Sequence, residues 1–187
     1  MEYRPDASPS KRGYSDPIQV LKGEHHVTLA RLEMIERTLQ YLQTLPPNSA
    51  PDRAGLEQVR LKEWVVGLEK SLELHFKKEE ESLFPVLSQY IGREQGPIEV
   101  MLREHTTIRR VFHAWKVYVC ELQLERGMER RTSLKEVTTR GYEVIQLLRL
   151  HISKENQILF EICEVSLTLE EKQRVSEAMR EVKISLL

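Results

Sequence analysis

Two windows of this chain are near copies of each other: Leu74-His75-x-x-Lys78-Glu79-x-x-x-Leu83-Phe84 and Leu150-His151-x-x-Lys154-Glu155-x-x-x-Leu159-Phe160, identical at six of eleven positions. Each follows an isolated Glu-His pair, Glu24-His25 or Glu104-His105. A histidine and a glutamate four residues apart share one face of a helix, about one turn or roughly 6 Å from each other. The duplication therefore asks for a fold in which two helical His-x-x-x-Glu grips and two single histidines turn towards one place. Four imidazoles and two carboxylates would then be available to a metal.

Apolar residues at helical spacing supply that fold. Asp16-Pro17 gives a capping residue followed by a proline at the first helical position, and Ile18, Leu21, Leu29, Leu32, Ile35, Leu39 and Leu42 form a stripe that contains His25. Pro46-Pro47 ends this helix, and a second is expected from about Ala54 to about Tyr90, interrupted by Pro85. After Gly92 and Gly96-Pro97, a third stripe runs through Ile98, Met101, His105, Ile108, Phe112, Trp115 and Val119. A fourth is expected to open at Thr132 or Ser133, with Glu136 completing a capping box, and to turn Val144, Leu147, Leu148, His151, Glu155, Ile158, Leu159 and Ile162 inward. A short last helix starts at Thr168, with Glu171 as a second capping-box match, and reaches about Lys183.

No segment reads as a strand, so the expected fold is all-α: an up-down four-helix bundle with an additional short C-terminal helix. Residues 1–15 read as a flexible N-terminal lead-in and 16–187 as the bundle with its last helix. From His25 to the end of the first helix is about 20 residues, and from the start of the second to His75 about 21, so the two lie level in an antiparallel hairpin. The third and fourth helices balance in the same way. The second and third do not, which predicts that the segment after Pro85 bends away or ends early.

The formal net charge of -1, from 28 basic and 29 acidic residues mixed along the chain, gives no field to draw nucleic acid or an anionic membrane. No apolar run approaches the roughly 18 residues that span a bilayer, and the polar N-terminus has no signal-peptide core, so a cytoplasmic setting is expected. The two cysteines, Cys120 and Cys163, lack the spacing of a zinc knuckle or redox pair, lie too far apart on the expected helices for a disulfide, and read as small buried hydrophobes.

A buried histidine or glutamate without a partner costs several kcal/mol. Six of them directed into a bundle core need something to bind, which sets this chain apart from a plain bundle with satisfied core histidines and solvated glutamates. Carboxylate oxygens with imidazoles suit iron or manganese, and the absence of thiolate ligands argues against a structural zinc site.

The order His25, then His75-x-x-x-Glu79, then His105, then His151-x-x-x-Glu155 on four successive helices resembles the hemerythrin-like HHE cation-binding proteins, over about Pro17 to Glu164. Leu83-Phe84-Pro85 after Glu79 is similar to that family as well. The resemblance implies that His25, His75, His105 and His151 are terminal ligands of a non-haem di-iron centre and that Glu79 and Glu155 bridge it. Iron would be the cofactor, oxo- or hydroxo-bridged, with manganese or zinc as substitutes. Four imidazole nitrogens and four carboxylate oxygens fill about eight of twelve octahedral positions; a bridging group leaves about one exchangeable position per metal. In oxygen-carrying hemerythrin the third helix supplies two histidines one turn apart and the fourth an aspartate. Arg109 stands one turn after His105 here, which shifts the expectation from oxygen carriage towards redox reactivity, sensing or iron handling.

The resulting expectation is a protein of the stress response that binds, senses or reduces a small oxidant: dioxygen, peroxide or nitric oxide. The alternative is an iron-binding sensor, donor or iron-sulfur-cluster repair module without turnover. The ligand set is similar to that of the bacterial cluster-repair di-iron proteins, whose cysteine-bearing N-terminal segment has no counterpart in Met1–Asp16. A third alternative is a structural bundle that meets a partner through its last helix, which could equally dock on its own chain or join two copies in a homodimer. Of the neighbours, His26 reads as a surface residue and His113 as a satisfied core histidine or spare ligand. Glu24 and Glu104 read as facing a helix boundary, Glu80 and Glu81 as a solvated run, and Trp64, Trp115, Tyr118 and Tyr142 as core.

Overall fold

The structure, a computed structural model, describes residues 14–45, 51–122 and 128–183; the lead-in expected over residues 1–15 lies outside these apart from Tyr14 and Ser15. Every regular element among the described residues is helical. Helix α1 spans Pro17–Thr44, and its first turn is capped by Asp16, whose carboxylate accepts from the Ile18 amide at 2.8 Å. Helix α2 covers Pro51–Lys78 and passes through a π turn, Glu79–Leu83, into α3, Phe84–Ile91. Helix α4 is Pro97–Glu121. Helix α5, Met128–Lys154, passes through a second π turn, Glu155–Leu159, into α6, Phe160–Ser166. Helix α7, Leu169–Glu181, carries the expected capping box, with Thr168 and Glu171 each bonding the other's backbone.

Three local expectations change. Helix α5 starts at Met128 rather than at Thr132 or Ser133, because Met128-Glu129-Arg130-Arg131 are good helix formers and extend it backwards. The segment after Pro85 does not end early: α3 runs to Ile91 and packs on α4 and α6 before Gly92, at φ 73°, ends it. In each π turn the ladder lengthens by one residue, so that Phe84 donates to the Glu79 carbonyl and Phe160 to that of Glu155. Pro85 sits at the first of these junctions, where its missing N–H does least damage. The second turn forms without a proline, so proline is not what makes them. The extra residue also rotates the next stretch of helix. Leu159, Phe160 and Cys163 face inward, whereas Ile158, expected inside, is 51% exposed.

Helix α1 packs on α2 and α5, and α4 packs on the same two, so the four long helices enclose a common interior. Helix α7 lies against α1 and the first π turn of its own chain, burying Val175 and Met179. The interior is divided. One apolar cluster holds Leu32, Leu39, Leu68, Phe76, Phe112, Trp115 and Leu148; the other holds Ile18, Leu21, Phe84, Met101, Phe160 and Cys163. On every long helix a buried histidine marks the division: His25, His75, His105 and His151. No helix among the described residues is long and apolar enough to cross a membrane.

Of the described glycines, Gly141 in α5 is the one with no room for a side chain. A Cβ there would lie 2.6 Å from Leu39 Cδ1 and 3.1 Å from Trp115, whose indole is fixed by donating to the Val137 carbonyl at 2.9 Å. Gly141→Ala is therefore expected to destabilise by about 1–3 kcal/mol, in spite of alanine's better helix propensity. Gly67→Ala, on the open face of α2 with nothing within 4 Å of the new Cβ, should gain roughly 0.5–1 kcal/mol. Urea unfolding of both variants checks the pair, and the reverse order would mean that α5 does not approach α1 and α4 this closely.

Candidate metal centre

All six residues singled out by the repeat meet in the layer between the two apolar clusters, and none is more than 5% exposed. They form two overlapping groups, His25, His75, Glu79 and Glu155, and Glu79, His105, His151 and Glu155, each with its ligand atoms within 4.8 Å of one another. Glu79 turns Oε1 to His75 Nε2 at 3.5 Å and Oε2 to His105 Nε2 at 3.3 Å. Glu155 turns Oε2 to His25 Nε2 at 3.1 Å and Oε1 to His151 Nε2 at 3.3 Å. Each carboxylate thus gives one oxygen to each group.

The outer edges of the imidazoles fix which nitrogen is free. Nδ1 of His75 donates to Glu24 at 2.9 Å, that of His105 to Glu80 at 2.7 Å and that of His151 to Glu104 at 3.0 Å. A carboxylate only accepts, so these protons sit on Nδ1. His25 Nδ1 meets the Asn156 side-chain oxygen at 2.9 Å. All four Nε2 atoms are then left to face inward with a lone pair, and two of them, on His25 and His75, are 3.0 Å apart. Lone pairs at that distance repel unless a proton or a cation lies against them. Moreover, all four oxygens of Glu79 and Glu155, and Nε2 of His105 and His151, are buried without a hydrogen bond. The donor set, its free valences and its shape fit two hard or borderline cations.

The charges around the centre reflect these contacts. Burial alone would raise the Glu80 carboxyl, but hydrogen bonds from His105 and Arg109 outweigh it and hold it down at about 2. Glu24 and Glu104 are lowered in the same way, against burial, Glu24 by His75 and Lys78 and Glu104 by Lys154 and His151. Burial would strip His105 of a proton, yet Glu155, Glu79 and Glu80 raise it well above the ordinary histidine range. His151, where burial prevails, is lowered.

Rings seal the layer. Phe76 stacks on His105 with centroids 3.9 Å apart and planes at 19°, and Phe160 lies 5.3 Å from His25. Outside Phe76, a groove of about 300 Å³ runs between α2 and α4, lined by Leu72, Glu73, Ile108, Arg109 and His113. Arg109 stays out of the centre. Its guanidinium lies over the Phe76 ring and bonds Glu80 and Glu73, at 2.8 Å each.

Several neighbours differ from expectation. Glu24, Glu104 and Glu80 hold the imidazoles of His75, His151 and His105 rather than a helix boundary or a solvated run, and Asn156, which no pattern in the sequence singles out, does the same for His25. For the glutamates a signal is present: Glu24 and Glu104 occupy the same place before each single histidine, and Lys78 and Lys154, their ion-pair partners, are identical in the repeat. His113 is exposed, not core, because eight residues overrun two turns by about 80° and carry it off the His105 face. Cys120 and Tyr118 are also exposed, each about 100° or less from the buried Val119, whereas Cys163 is buried and Trp115 is core. His26 and Glu81 are exposed, as expected.

Comparison with known proteins gives two findings. The sequence model described as the Hemerythrin HHE cation binding domain matches residues 16–163. Proteins named iron-sulfur cluster repair protein YtfE, from Salmonella paratyphi B, Salmonella newport and Salmonella heidelberg, are each 35% identical over 101 residues, 54% of this chain and 45% of theirs. The chain thus aligns with less than half the length of these relatives.

Because Glu24 and Glu104 orient the imidazoles of His75 and His151 and add to their basicity, Glu24→Gln and Glu104→Gln should each weaken metal binding about 10- to 100-fold with helical content unchanged. Competition with a chromophoric chelator, alongside circular dichroism, measures both. Unchanged affinity would reduce these residues to salt-bridge partners of Lys78 and Lys154.

Proposed function

The chain belongs to the hemerythrin HHE cation-binding family, and on that footing we propose that it is a non-haem di-iron protein that binds, senses or reduces a small oxidant such as dioxygen, peroxide or nitric oxide. His25 and His75 hold one iron, His105 and His151 the other, and Glu79 and Glu155 bridge the two. The four long helices form an up-down bundle, α7 is an addition to it, residues 16–187 are one unit, and the setting is cytoplasmic. The observation that carries this reading is the division of both buried carboxylates between the two histidine pairs, one oxygen to each.

When bound, a pair of iron ions supplies one-electron chemistry with open coordination positions for the oxidant. The protein supplies the rest. The Nδ1–H bonds to Glu24, Glu80, Glu104 and Asn156 lock the rings with Nε2 inward, so no reorientation is needed on metal entry. Phe76, Phe84 and Phe160 cover the rings of His105 and His25 and keep water away from their faces. With Arg109 held outside by Glu73 and Glu80, the His105 side has no third imidazole, which favours reaction or exchange over reversible oxygen carriage.

A second reading has a specific observation in its favour: the similarity to proteins named for iron-sulfur cluster repair. On that reading the same centre stores or donates iron and does not turn over. The lack of cysteine in Met1–Asp16 does not count against it, because the aligned stretch leaves more than half of those relatives uncompared.

Anaerobic reconstitution with ferrous iron, metal analysis and absorbance before and after air test the main reading. Two irons per chain and near-ultraviolet charge-transfer bands that grow in air are expected; little bound iron at full helicity would overturn it. Glu79→Ala and Glu155→Ala should each lose the paired iron and keep most of the helical signal. Two irons retained in both would remove the bridging assignment. Consumption of many equivalents of peroxide or nitric oxide per chain supports the oxidant reading, and iron transfer to a metal-free iron-sulfur protein without turnover supports the second.

A further inference from the structure

The duplicated sequence gives the centre an approximate twofold repeat, and the ring of residues outside it departs from that repeat on one side only. Glu24-His25 corresponds to Glu104-His105, and His75, Lys78, Glu79 and Glu80 correspond to His151, Lys154, Glu155 and Asn156. The chain His75–Glu24–Lys78 recurs as His151–Glu104–Lys154, atom for atom. The other two imidazoles differ. His105 donates to a carboxylate, Glu80, at 2.7 Å, while His25 meets a neutral carboxamide, Asn156, at 2.9 Å.

Charge divides in the same way. Glu24 is neutralised by Lys78 and Glu104 by Lys154, so these two arms balance. Beside His105 one guanidinium, Arg109, serves two carboxylates, Glu80 and Glu73, and leaves one negative charge over. Position 29, which corresponds to Arg109, is leucine, and Asn156 brings no charge. The types of inner donor do not separate the two positions, since each has two Nε2 atoms and one oxygen from each shared carboxylate, although the His25 and His75 Nε2 atoms lie 3.0 Å apart.

Resting on the two-metal reading, we infer that the two positions are unequal, that the one between His105 and His151 binds metal more tightly and fills first, and that Glu80 against Asn156 sets the order. An imidazole that donates to a carboxylate is a stronger ligand than one that donates to an amide, and partners of this kind are commonly worth 10- to 100-fold in affinity. Glu80 and Arg109 are 24% and 33% exposed, so solvent screening puts the effect near the lower end, about tenfold.

The test is a titration of the metal-free full chain with Zn(II), and anaerobically with Fe(II), against a chelator, so that neither redox chemistry nor turnover enters the readout. Two substitutions of equal size separate the positions. Glu80→Gln should weaken the first step about tenfold and leave the second nearly as it was, bringing the two together. Asn156→Asp should leave the first step alone and tighten the second. The crossed result, with Glu80→Gln acting on the second step and Asn156→Asp on the first, would assign the tight position to His25 and His75 and overturn the inference. So would two steps that neither substitution moves, although two bound metals per chain would then leave the proposed function standing. Fewer than two metals in the unsubstituted chain would overturn both. Circular dichroism guards against misfolding of Glu80→Gln, and Asn156→Asp decides the matter if that variant is damaged.

Discussion

Two carboxylates buried side by side, with no hydrogen bond to any of their oxygens, are the constraint on which the rest of this structure depends. An unsatisfied buried polar group costs about 1–3 kcal/mol, and more if charged, whereas the net stability of a whole domain is about 5–15 kcal/mol. The polar layer at the division of the core therefore competes directly with the stability of the fold. The two apolar clusters on either side hold it in place, closing with Phe76, Phe84 and Phe160. On the proposed reading, the layer gains stability when metal brings positive charge into it.

That constraint orders the second ring of residues. An imidazole can direct Nε2 inward only if its Nδ1 proton has an acceptor outside, and each of the four has one on a neighbouring helix. Helix α1 thereby ties to α2 through Glu24 and to the π turn before α6 through Asn156, while α4 ties to α5 through Glu104 and to the first π turn through Glu80. Specificity of helix pairing and orientation of the imidazoles come from the same hydrogen bonds. The π turns belong to this arrangement. Each begins at a buried glutamate, and the additional residue lets one helix place Glu79 or Glu155 in the layer while turning Leu83 and Phe84, or Leu159 and Phe160, into the cluster below.

Much of this is legible in the sequence because it is periodic or repeated. The buried residues of α4 are those of its apolar stripe, Ile98 to Val119, without exception, and the six inward polar residues are marked by their repeat. What is not legible depends on registers that no local pattern encodes. A π turn leaves no signature in Glu-Asn-Gln-Ile-Leu, so helical periodicity places Ile158 inside when it lies outside. The repeat marks Glu24 and Glu104 but not what they meet, because a residue beside an inward histidine on its own helix points about 100° away from it, and only the neighbouring helix shows its partner. Glu80 is concealed in a run of three glutamates, of which only Glu81 is solvated as such runs usually are.

The same ring explains what Arg109 does one turn after His105, where oxygen-carrying hemerythrin places a histidine. A guanidinium cannot be a ligand, and a free one beside a cation centre would repel the metal. Bound to Glu73 and Glu80 and laid over Phe76, it is neutralised and faces the groove instead. Outside the centre, the guanidinium holds Glu80 in place beside His105. On the proposed reading, the residue that leaves the inner set one imidazole short also fixes the carboxylate that strengthens His105, so openness and retention at that side are linked.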